Sequence, residues 1–167
     1  MKRRNLILGG AAVASLGACS SSDGKFKTYK GPDVTGLVVN KGERKMYLLN
    51  EDRVLKDYDI FLGFAPEGHK QIEGDGKTPE GVYRIDRRNP NSRFHLSLGI
   101  SYPNEEDTRV AEEMGKPPGG DIFIHGQRHP MRLDKDDWTW GCIAVSNKQI
   151  ETIYAMIRDG IPIAINA

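Results

Sequence analysis

The 167-residue sequence has only two cysteines, almost no excess charge and no hydrophobic run of membrane-spanning length. Its 24 basic and 23 acidic residues give a formal net charge of +1, which argues against nucleic acid as a partner because polyanion binding needs a clustered basic excess. The length fits one ordinary domain. The composition, 38% hydrophobic and 28% charged, is globular rather than disordered. The two cysteines could form a disulfide, contribute to a metal site, react, or mark a processing site.

The first 18 residues have the pattern of an export signal. Three basic residues at 2–4 precede an apolar stretch at 6–18 of about 13 residues, too short for the roughly 20 residues of a transmembrane helix. The stretch ends in L-G-A-C at 16–19, which resembles the lipobox of bacterial lipoproteins. That resemblance implies cleavage before Cys19 and attachment of lipid to its thiol; an ordinary signal peptide is the alternative.

These features predict an exported protein held on a bacterial membrane by the lipid on Cys19, facing the periplasm or cell wall. Ser20 after the cysteine favours the outer membrane if the cell is Gram-negative. The paired arginines leave both Sec and twin-arginine export open. Residues 19–33 are predicted to be the lipidated cysteine and a tether, and residues 34–167 one domain. Without residues 1–18, the chain has 21 basic and 23 acidic residues.

Residues 34–167 alternate short β-prone segments with glycine, proline, asparagine and aspartate. A hairpin is expected around a turn at 41–44, with Gly42 supplying the turn. Strands are predicted at 36–40, 45–49, 54–60, 81–85, 94–100, 121–125, 142–145 and 161–165, and helices at 104–114 and 147–158. Many strands with two helices predict a single α+β domain that is mostly β.

A histidine and a cysteine lie at the ends of two of these predicted strands. An apolar segment ends at His125, and Cys142 begins another seventeen residues later. With Cys19 lipidated, Cys142 has no partner for an intramolecular disulfide, so it is either a small buried hydrophobe or a reactive thiol. A neighbouring imidazole could accept the thiol proton, and Gly141 would let a substrate carbonyl approach backbone N–H groups. The pattern favours acyl transfer.

The sequence resembles the L,D-transpeptidase catalytic domain of the YkuD type. The shared signature is H-G at 125–126 followed by T-W-G-C at 139–142, and a second match is T-P-E-G-V-Y at 78–83. The resemblance extends roughly over residues 34–165. It implies a mostly β catalytic domain that acts on peptidoglycan stem peptides in cell wall assembly or remodelling, without a cofactor.

The resemblance also implies roles for individual residues. Cys142 would be the nucleophile and His125 the general base and acid, with the Gly126 carbonyl orienting the imidazole. The backbone amides of Gly141 and Cys142 would stabilise the oxyanion, and Thr139 would shape the turn into the site. Attack at the third stem residue would release D-alanine and form a thioester, which an amine from another stem, a lipoprotein lysine, a D-amino acid or water would resolve.

Two positions depart from the family pattern and keep other functions open. Trp140 stands where members often have histidine, and Ala144 where they often have arginine or asparagine. These departures leave the acyl acceptor undetermined. A hydrolase or amidase that cleaves a peptidoglycan–lipoprotein or L,D-peptide bond is one alternative, and a non-catalytic lipoprotein that binds the cell wall is another.

Nearby polar residues have simpler interpretations. The spacing of His125 and His129 suggests zinc, but Gly126 and Pro130 disfavour a helix that would present both rings, and no second thiol completes a common ligand set. No metal site is predicted. The aspartates before the cysteine motif are interpreted as a solvated acidic turn; they are Asp134, Asp136 and Asp137. The oligomeric state is left open.

Overall fold

The part of the chain that the structure describes contains one mixed β-sheet of eight strands and two helices. The structure is a computed structural model, and it describes residues 24–127 and 137–167. The elements in chain order are β1 Gly36–Asn40, β2 Lys45–Asn50, β3 Arg53–Asp59, β4 Gly81–Asn89, β5 Ser97–Ile100, α1 Glu105–Glu113, β6 Phe123–His125, β7 Ile143–Ala144, α2 Asn147–Met156 and β8 Pro162–Asn166. The predicted α+β, mostly β fold class is confirmed.

The sheet has the strand order β3-β2-β1-β8-β4-β5-β6-β7. The predicted β1–β2 hairpin is present and antiparallel, with Val39 opposite Met46, both fully buried. The turn residue with positive φ is Arg44 (φ 54°) rather than the expected Gly42. Arg44 tolerates this conformation because its backbone N–H and its guanidinium both donate to the Lys41 carbonyl oxygen.

Helix α2 closes the core behind the strands that carry the predicted histidine. It begins with a capping box in which Ser146 accepts from Gln149 N–H. Ile150 and Ile153 are fully buried on the face that meets the sheet near β5 and β6, and burial of each contributes about 1.5–3 kcal/mol. The helix stops at Met156, short of the predicted residue 158, because the next residue is already extended.

Helix α1 is joined to the second motif by a buried carboxylate. Asp107 completes the capping box with Asn104. It also accepts a hydrogen bond from the Tyr83 hydroxyl at 3.0 Å and lies 3.1 Å from His69 Nε2. Burial, reinforced by the Asp107 charge, raises the pKa of Tyr83. Tyr83 therefore remains a donor, and the T-P-E-G-V-Y segment is fixed to α1.

Residues 24–33, which are part of the predicted tether, include side chains that contact the domain. Lys25 Nζ donates to the carbonyl oxygens of Pro90 (2.6 Å) and His95 (3.3 Å). Lys27 Nζ lies 3.0 Å from a carboxylate oxygen of Glu151. Within the ranges that the structure describes, no helix is long and apolar enough to span a membrane.

Candidate active site

The pairing of β6 with β7 brings the predicted histidine and cysteine to one cavity. The strands are parallel, with His125 beside Ala144. Cys142 is the residue directly before β7. Both His125 and Cys142 line a cavity of about 380 Å³. The structure thus brings together two side chains that are seventeen residues apart in the chain.

The imidazole of His125 is buried and held in one orientation. Its Nδ1 lies 2.6 Å from the Gly126 carbonyl oxygen. A carbonyl only accepts, so this contact assigns the proton to Nδ1 and leaves a lone pair on Nε2. Burial lowers the pKa of His125, although the bond to Gly126 partly opposes this. The ring is therefore neutral at neutral pH and can accept a proton at Nε2.

Aromatic rings hold the imidazole from two sides. Phe94 stacks on His125 with ring centroids 4.5 Å apart, and Trp138 meets the imidazole edge-on at 5.7 Å. Such contacts fix the plane of the ring as well as burying it. No motif in the sequence pointed to Phe94, because its contribution comes from the loop before β5 rather than from either catalytic segment.

The thiol of Cys142 is half-buried and is protonated at rest. It donates to the Asp121 carbonyl oxygen at 3.5 Å. Burial raises the pKa of Cys142 to about 11, and the Asp121 charge adds to this, while the Phe123 amide and Lys70 act in the opposite direction. The resting pair is therefore a thiol and a neutral imidazole rather than a thiolate and an imidazolium.

A buried threonine shapes the turn that presents Cys142. Thr139 Oγ1 donates to the Cys142 carbonyl oxygen at 2.7 Å and accepts from Gly141 N–H at 3.1 Å. Gly141 has φ +119°, and a Cβ there would lie 2.5 Å from the Lys77 carbonyl oxygen, so the position requires glycine. The predicted turn-shaping function of Thr139 agrees with these contacts.

The Thr139 contact changes which amide is available for an oxyanion. Because Gly141 N–H is directed at Thr139 Oγ1, it is already engaged within the turn. Cys142 N–H makes no hydrogen bond to residues 24–127 or 137–167. Of the two amides that the resemblance assigned to the oxyanion, Cys142 N–H is the one free to donate.

The upstream motif supports this turn from behind and does not line the cavity. Thr78 is fully buried, and its Oγ1 accepts from Gly63 N–H at 3.1 Å. Gly63 in turn forms a β-bridge with Thr139. The Thr78 carbonyl oxygen accepts from the buried Lys41 Nζ at 3.0 Å. Residues that are distant in sequence thus fix the backbone on which Cys142 sits.

The two departures from the family pattern occupy different surroundings. Trp140 is 72% exposed and packs edge-on against the partly exposed Phe64, with centroids 5.0 Å apart. It does not line the cavity. Ala144 is fully buried and exchanges backbone hydrogen bonds with Phe61 at 2.8 and 2.9 Å. Its methyl group offers no polar contact to a substrate.

The interpretation of Asp137 as part of a solvated turn is wrong. Its side chain is only 8% exposed. One carboxylate oxygen accepts from Leu62 N–H at 2.7 Å and the other from Arg44 Nη2 at 2.7 Å. Asp137 is thus a structural anchor, and it is not predictable from local sequence because its partners lie more than seventy residues away. Asp134, Asp136 and His129 lie outside the described residues.

Comparisons with known proteins agree with this fold. A family profile described as the L,D-transpeptidase catalytic domain matches residues 35–165. The chain is 30% identical over 151 residues to YafK of Escherichia coli K12, whose name assigns it provisionally as an L,D-transpeptidase; the match covers 85% of this chain and 56% of that protein. The chain therefore spans little more than half the length of this relative.

Solved structures with the same fold come from several bacteria. The helical cell shape determining protein Pgp2 from Campylobacter jejuni is 29% identical with a TM-score of 0.62, covering 82% of this chain and 49% of that one. Bdellovibrio bacteriovorus Bd1075 is 25% identical with a TM-score of 0.55, covering 80% and 48%. An L,D-transpeptidase from Xylanimonas cellulosilytica, 12% identical with a TM-score of 0.53 and covering 83% and 63%, shares the fold.

Replacing Thr139 tests the origin of the turn geometry. Thr139→Val keeps the volume but removes the hydroxyl that joins Gly141 N–H to the Cys142 carbonyl. Two polar backbone groups then lose their partner, so we expect the free energy of unfolding to fall by about 2 kcal/mol. Thr139→Ser keeps the hydroxyl and should lose about 1 kcal/mol or less from the missing methyl group. Denaturant titration of both variants measures this, and an equal loss in the two would contradict the assignment.

Proposed function

Because this chain belongs to the L,D-transpeptidase catalytic-domain family, we propose that it catalyses cysteine-dependent acyl transfer on peptidoglycan stem peptides. Membership of this family supports a role related to peptidoglycan. The observation that carries the activity is the shared cavity of Cys142 and His125, with the imidazole proton held on Nδ1. Nε2 then keeps a free lone pair and can act as the base that accepts the thiol proton, which nucleophilic catalysis by a thiol needs.

The first half-reaction forms a thioester. The Cys142 thiol proton moves to His125 Nε2 as the sulfur attacks the carbonyl carbon between the third stem residue and D-alanine. Cys142 N–H stabilises the oxyanion of the tetrahedral intermediate. When the intermediate collapses, the imidazolium gives its proton to the departing nitrogen, and D-alanine leaves with a neutral amine. His125 returns to its neutral form.

The second half-reaction reverses these roles. An amine or water gives a proton to His125 Nε2 and attacks the thioester carbonyl, and the sulfur leaves and recovers that proton as a thiol. The resting neutral pair suits this cycle, since the same nitrogen accepts and donates one proton in each half-reaction. A neutral pair also means that the thiol becomes strongly nucleophilic only when substrate is in place.

Hydrolysis is the second candidate within the same chemistry. At the position where family members often have arginine or asparagine, Ala144 is buried and has no polar side-chain atom. A site with fewer polar contacts for an acceptor amine favours water as the acceptor. The enzyme would then act as a hydrolase or amidase in cell wall remodelling. A role in cell shape is consistent with either acceptor.

A non-catalytic cell-wall binder is the alternative from another class. The observation that favours it is the raised pKa of Cys142, whose proton is directed at Asp121 rather than at an acceptor nitrogen. A binder would hold stem peptides without forming a covalent bond. Formation of an acyl-enzyme on Cys142 therefore distinguishes an enzyme from a non-catalytic binder.

We also propose that the protein is an exported lipoprotein anchored through Cys19. Support comes from the L-G-A-C pattern after a short apolar stretch. Several acyl chains on one cysteine would hold the domain firmly at a membrane, since one chain alone binds marginally. The domain would thereby be kept within reach of the cell wall.

Replacing Cys142 tests the catalytic proposal. The full-length protein is incubated with a stem tetrapeptide ending in D-alanine, quenched in acid and weighed intact, while the released peptides are analysed by mass. We expect a tripeptide thioester on the wild type and products that identify the acceptor by cross-linking, exchange or hydrolysis. Cys142→Ala should form neither adduct nor product, and Cys19→Ser should retain both. Turnover by Cys142→Ala, or no adduct and no product with the wild type, would contradict the proposal.

Replacing Cys19 tests the anchor. Cys19→Ser removes the only thiol that the lipobox could present, so we expect the protein to move from the membrane fraction to the soluble fraction after cell lysis and ultracentrifugation. Cys142→Ser is the matched control and should remain in the membrane fraction. Membrane association of Cys19→Ser equal to that of the control would rule out lipid attachment at this residue.

A further inference from the structure

The loop between β4 and β5 forms one wall of the cavity and is built to hold a fixed shape. Its own side chains close two turns: Asn89 Oδ1 accepts from Asn91 N–H at 3.0 Å, and Ser92 Oγ accepts from Phe94 N–H at 3.1 Å. Turns of this kind satisfy backbone groups locally and restrict the chain. The loop therefore presents its remaining side chains in a defined direction.

Contacts from two other segments hold the loop from outside. Lys25 bridges the carbonyl oxygens of Pro90 and His95. His95 Nε2 lies 2.8 Å from Glu151 of helix α2, whose carboxylate also meets Lys27. The loop is thus attached to both the N-terminal segment and the helix behind the site. Such support is typical of a binding wall that is formed before the ligand arrives.

The loop contributes an arginine to the cavity that contains Cys142 and His125. Phe94 stacks on the His125 ring at 4.5 Å, and the preceding residue, Arg93, lines the same cavity as Cys142 and His125. Asn89, Ser92 and Ser97 line it as well. The lining of the cavity therefore includes several polar side chains and an arginine.

Arg93 differs from the neighbouring arginines because its guanidinium has neither an ion-pair nor a hydrogen-bond partner in the described part of the chain. Arg87 pairs with Asp86 and Asp121 at 2.8 and 3.1 Å. Arg88 donates to main-chain carbonyl oxygens, including that of Tyr154 at 2.7 Å. Arg93 makes no salt bridge or side-chain hydrogen bond with residues 24–127 or 137–167. Since the Asp121 carboxylate pairs with Arg87, Arg93 is the cation without a paired carboxylate among the described residues that line the cavity.

We propose that Arg93 binds a carboxylate of the stem peptide and thereby sets the position of the scissile carbonyl over Cys142. This inference rests on the proposed function, because it takes the stem peptide as the substrate. A planar guanidinium matches a carboxylate with two parallel hydrogen bonds, which fixes orientation as well as adding affinity. The stem offers two such groups, the C-terminal carboxylate of D-alanine and the side-chain carboxylate of diaminopimelate. Arg93 is thus a substrate-positioning residue.

Binding can be measured without turnover in the full-length Cys142→Ala protein. The probes are a stem tetrapeptide ending in D-alanine, the same peptide amidated at its C-terminus, and the same peptide amidated on the diaminopimelate carboxyl. Calorimetry measures the Kd of each peptide for the Cys142→Ala protein with Arg93 and for the same protein with Arg93→Gln. Arg53→Gln is the matched control, because Arg53 is an exposed arginine of the far edge strand β3 and its loss changes the net charge equally.

We expect Arg93→Gln to weaken binding of the free tetrapeptide at least tenfold and Arg53→Gln to leave it unchanged. One of the two amidated peptides should bind with equal affinity to the protein with Arg93 and to the Arg93→Gln variant, because it lacks the carboxylate that Arg93 binds. The position of the amide in that peptide identifies this carboxylate. Arg93→Lys should recover part of the affinity, since it keeps the charge without the planar pair of donors.

Three results would overturn the inference: equal binding of the free tetrapeptide to Arg93 and Arg93→Gln, the same loss of affinity for all three peptides, or no binding of any stem peptide. The proposed function is separable from it. If binding depends on Arg93 but no acyl-enzyme forms on Cys142, the carboxylate site is supported and the proposed catalysis is rejected. If the Arg93→Gln protein binds the peptide with normal affinity and Cys142 is still acylated in that variant, the catalysis is supported and the carboxylate site is rejected.

Discussion

The imidazole of His125 can accept a proton at Nε2 only while its own proton stays on Nδ1, where it is hydrogen-bonded to the Gly126 carbonyl oxygen. That bond, 2.6 Å long, selects the tautomer and leaves Nε2 as the acceptor. It also requires a particular backbone path after β6. A Cβ at Gly126 would lie 2.5 Å from Asn147 Oδ1 and 2.9 Å from both Ile150 and the Phe94 carbonyl oxygen, so only glycine lets the chain pass between α2 and the β5 loop.

The rest of the domain can be understood as support for that one contact. Helix α2 packs behind β6 and supplies Asn147, whose side chain accepts from Gln127 N–H at 2.7 Å and fixes the strand end. Phe94 and Trp138 hold the ring itself. Before β7, Thr139 fixes the turn that carries Cys142 through its hydrogen bonds to Gly141 N–H and to the Cys142 carbonyl oxygen. Two rigid backbones, rather than a hydrogen bond between the two side chains, thus bring the thiol and imidazole into one cavity.

Local patterns predicted the architecture where the forces are local. β-prone segments located all eight described strands, and the two predicted helices correspond to α1 and α2, because burial and capping act over a few residues. The spacing of His125 and Cys142 predicted their partnership through a family resemblance. The order of strands and the parallel pairing of β6 with β7 depend on contacts across the whole chain, and no short pattern specifies them.

The parts that sequence reasoning missed share this non-local origin. Asp137 binds Arg44 across 93 positions, and Phe94 reaches His125 from a different loop. The engagement of Gly141 N–H with Thr139, which leaves Cys142 N–H as the free amide of the two, depends on a side-chain direction that a motif cannot specify. Arg93 had no motif around it, and its importance emerges only from the cavity that it lines.

The most direct test of this account is the protonation state of His125, measured by side-chain nitrogen-15 NMR across a pH titration. Burial lowers the pKa of His125 from its ordinary 6.5. The account therefore predicts a neutral ring at pH 7, protonated at Nδ1 with a free lone pair at Nε2, and a titration midpoint below 6.5. On acidification through that midpoint, the ring gains a proton and can no longer serve as the base. A ring protonated at Nε2 at pH 7, either as the other tautomer or as an imidazolium paired with a Cys142 thiolate, would contradict it.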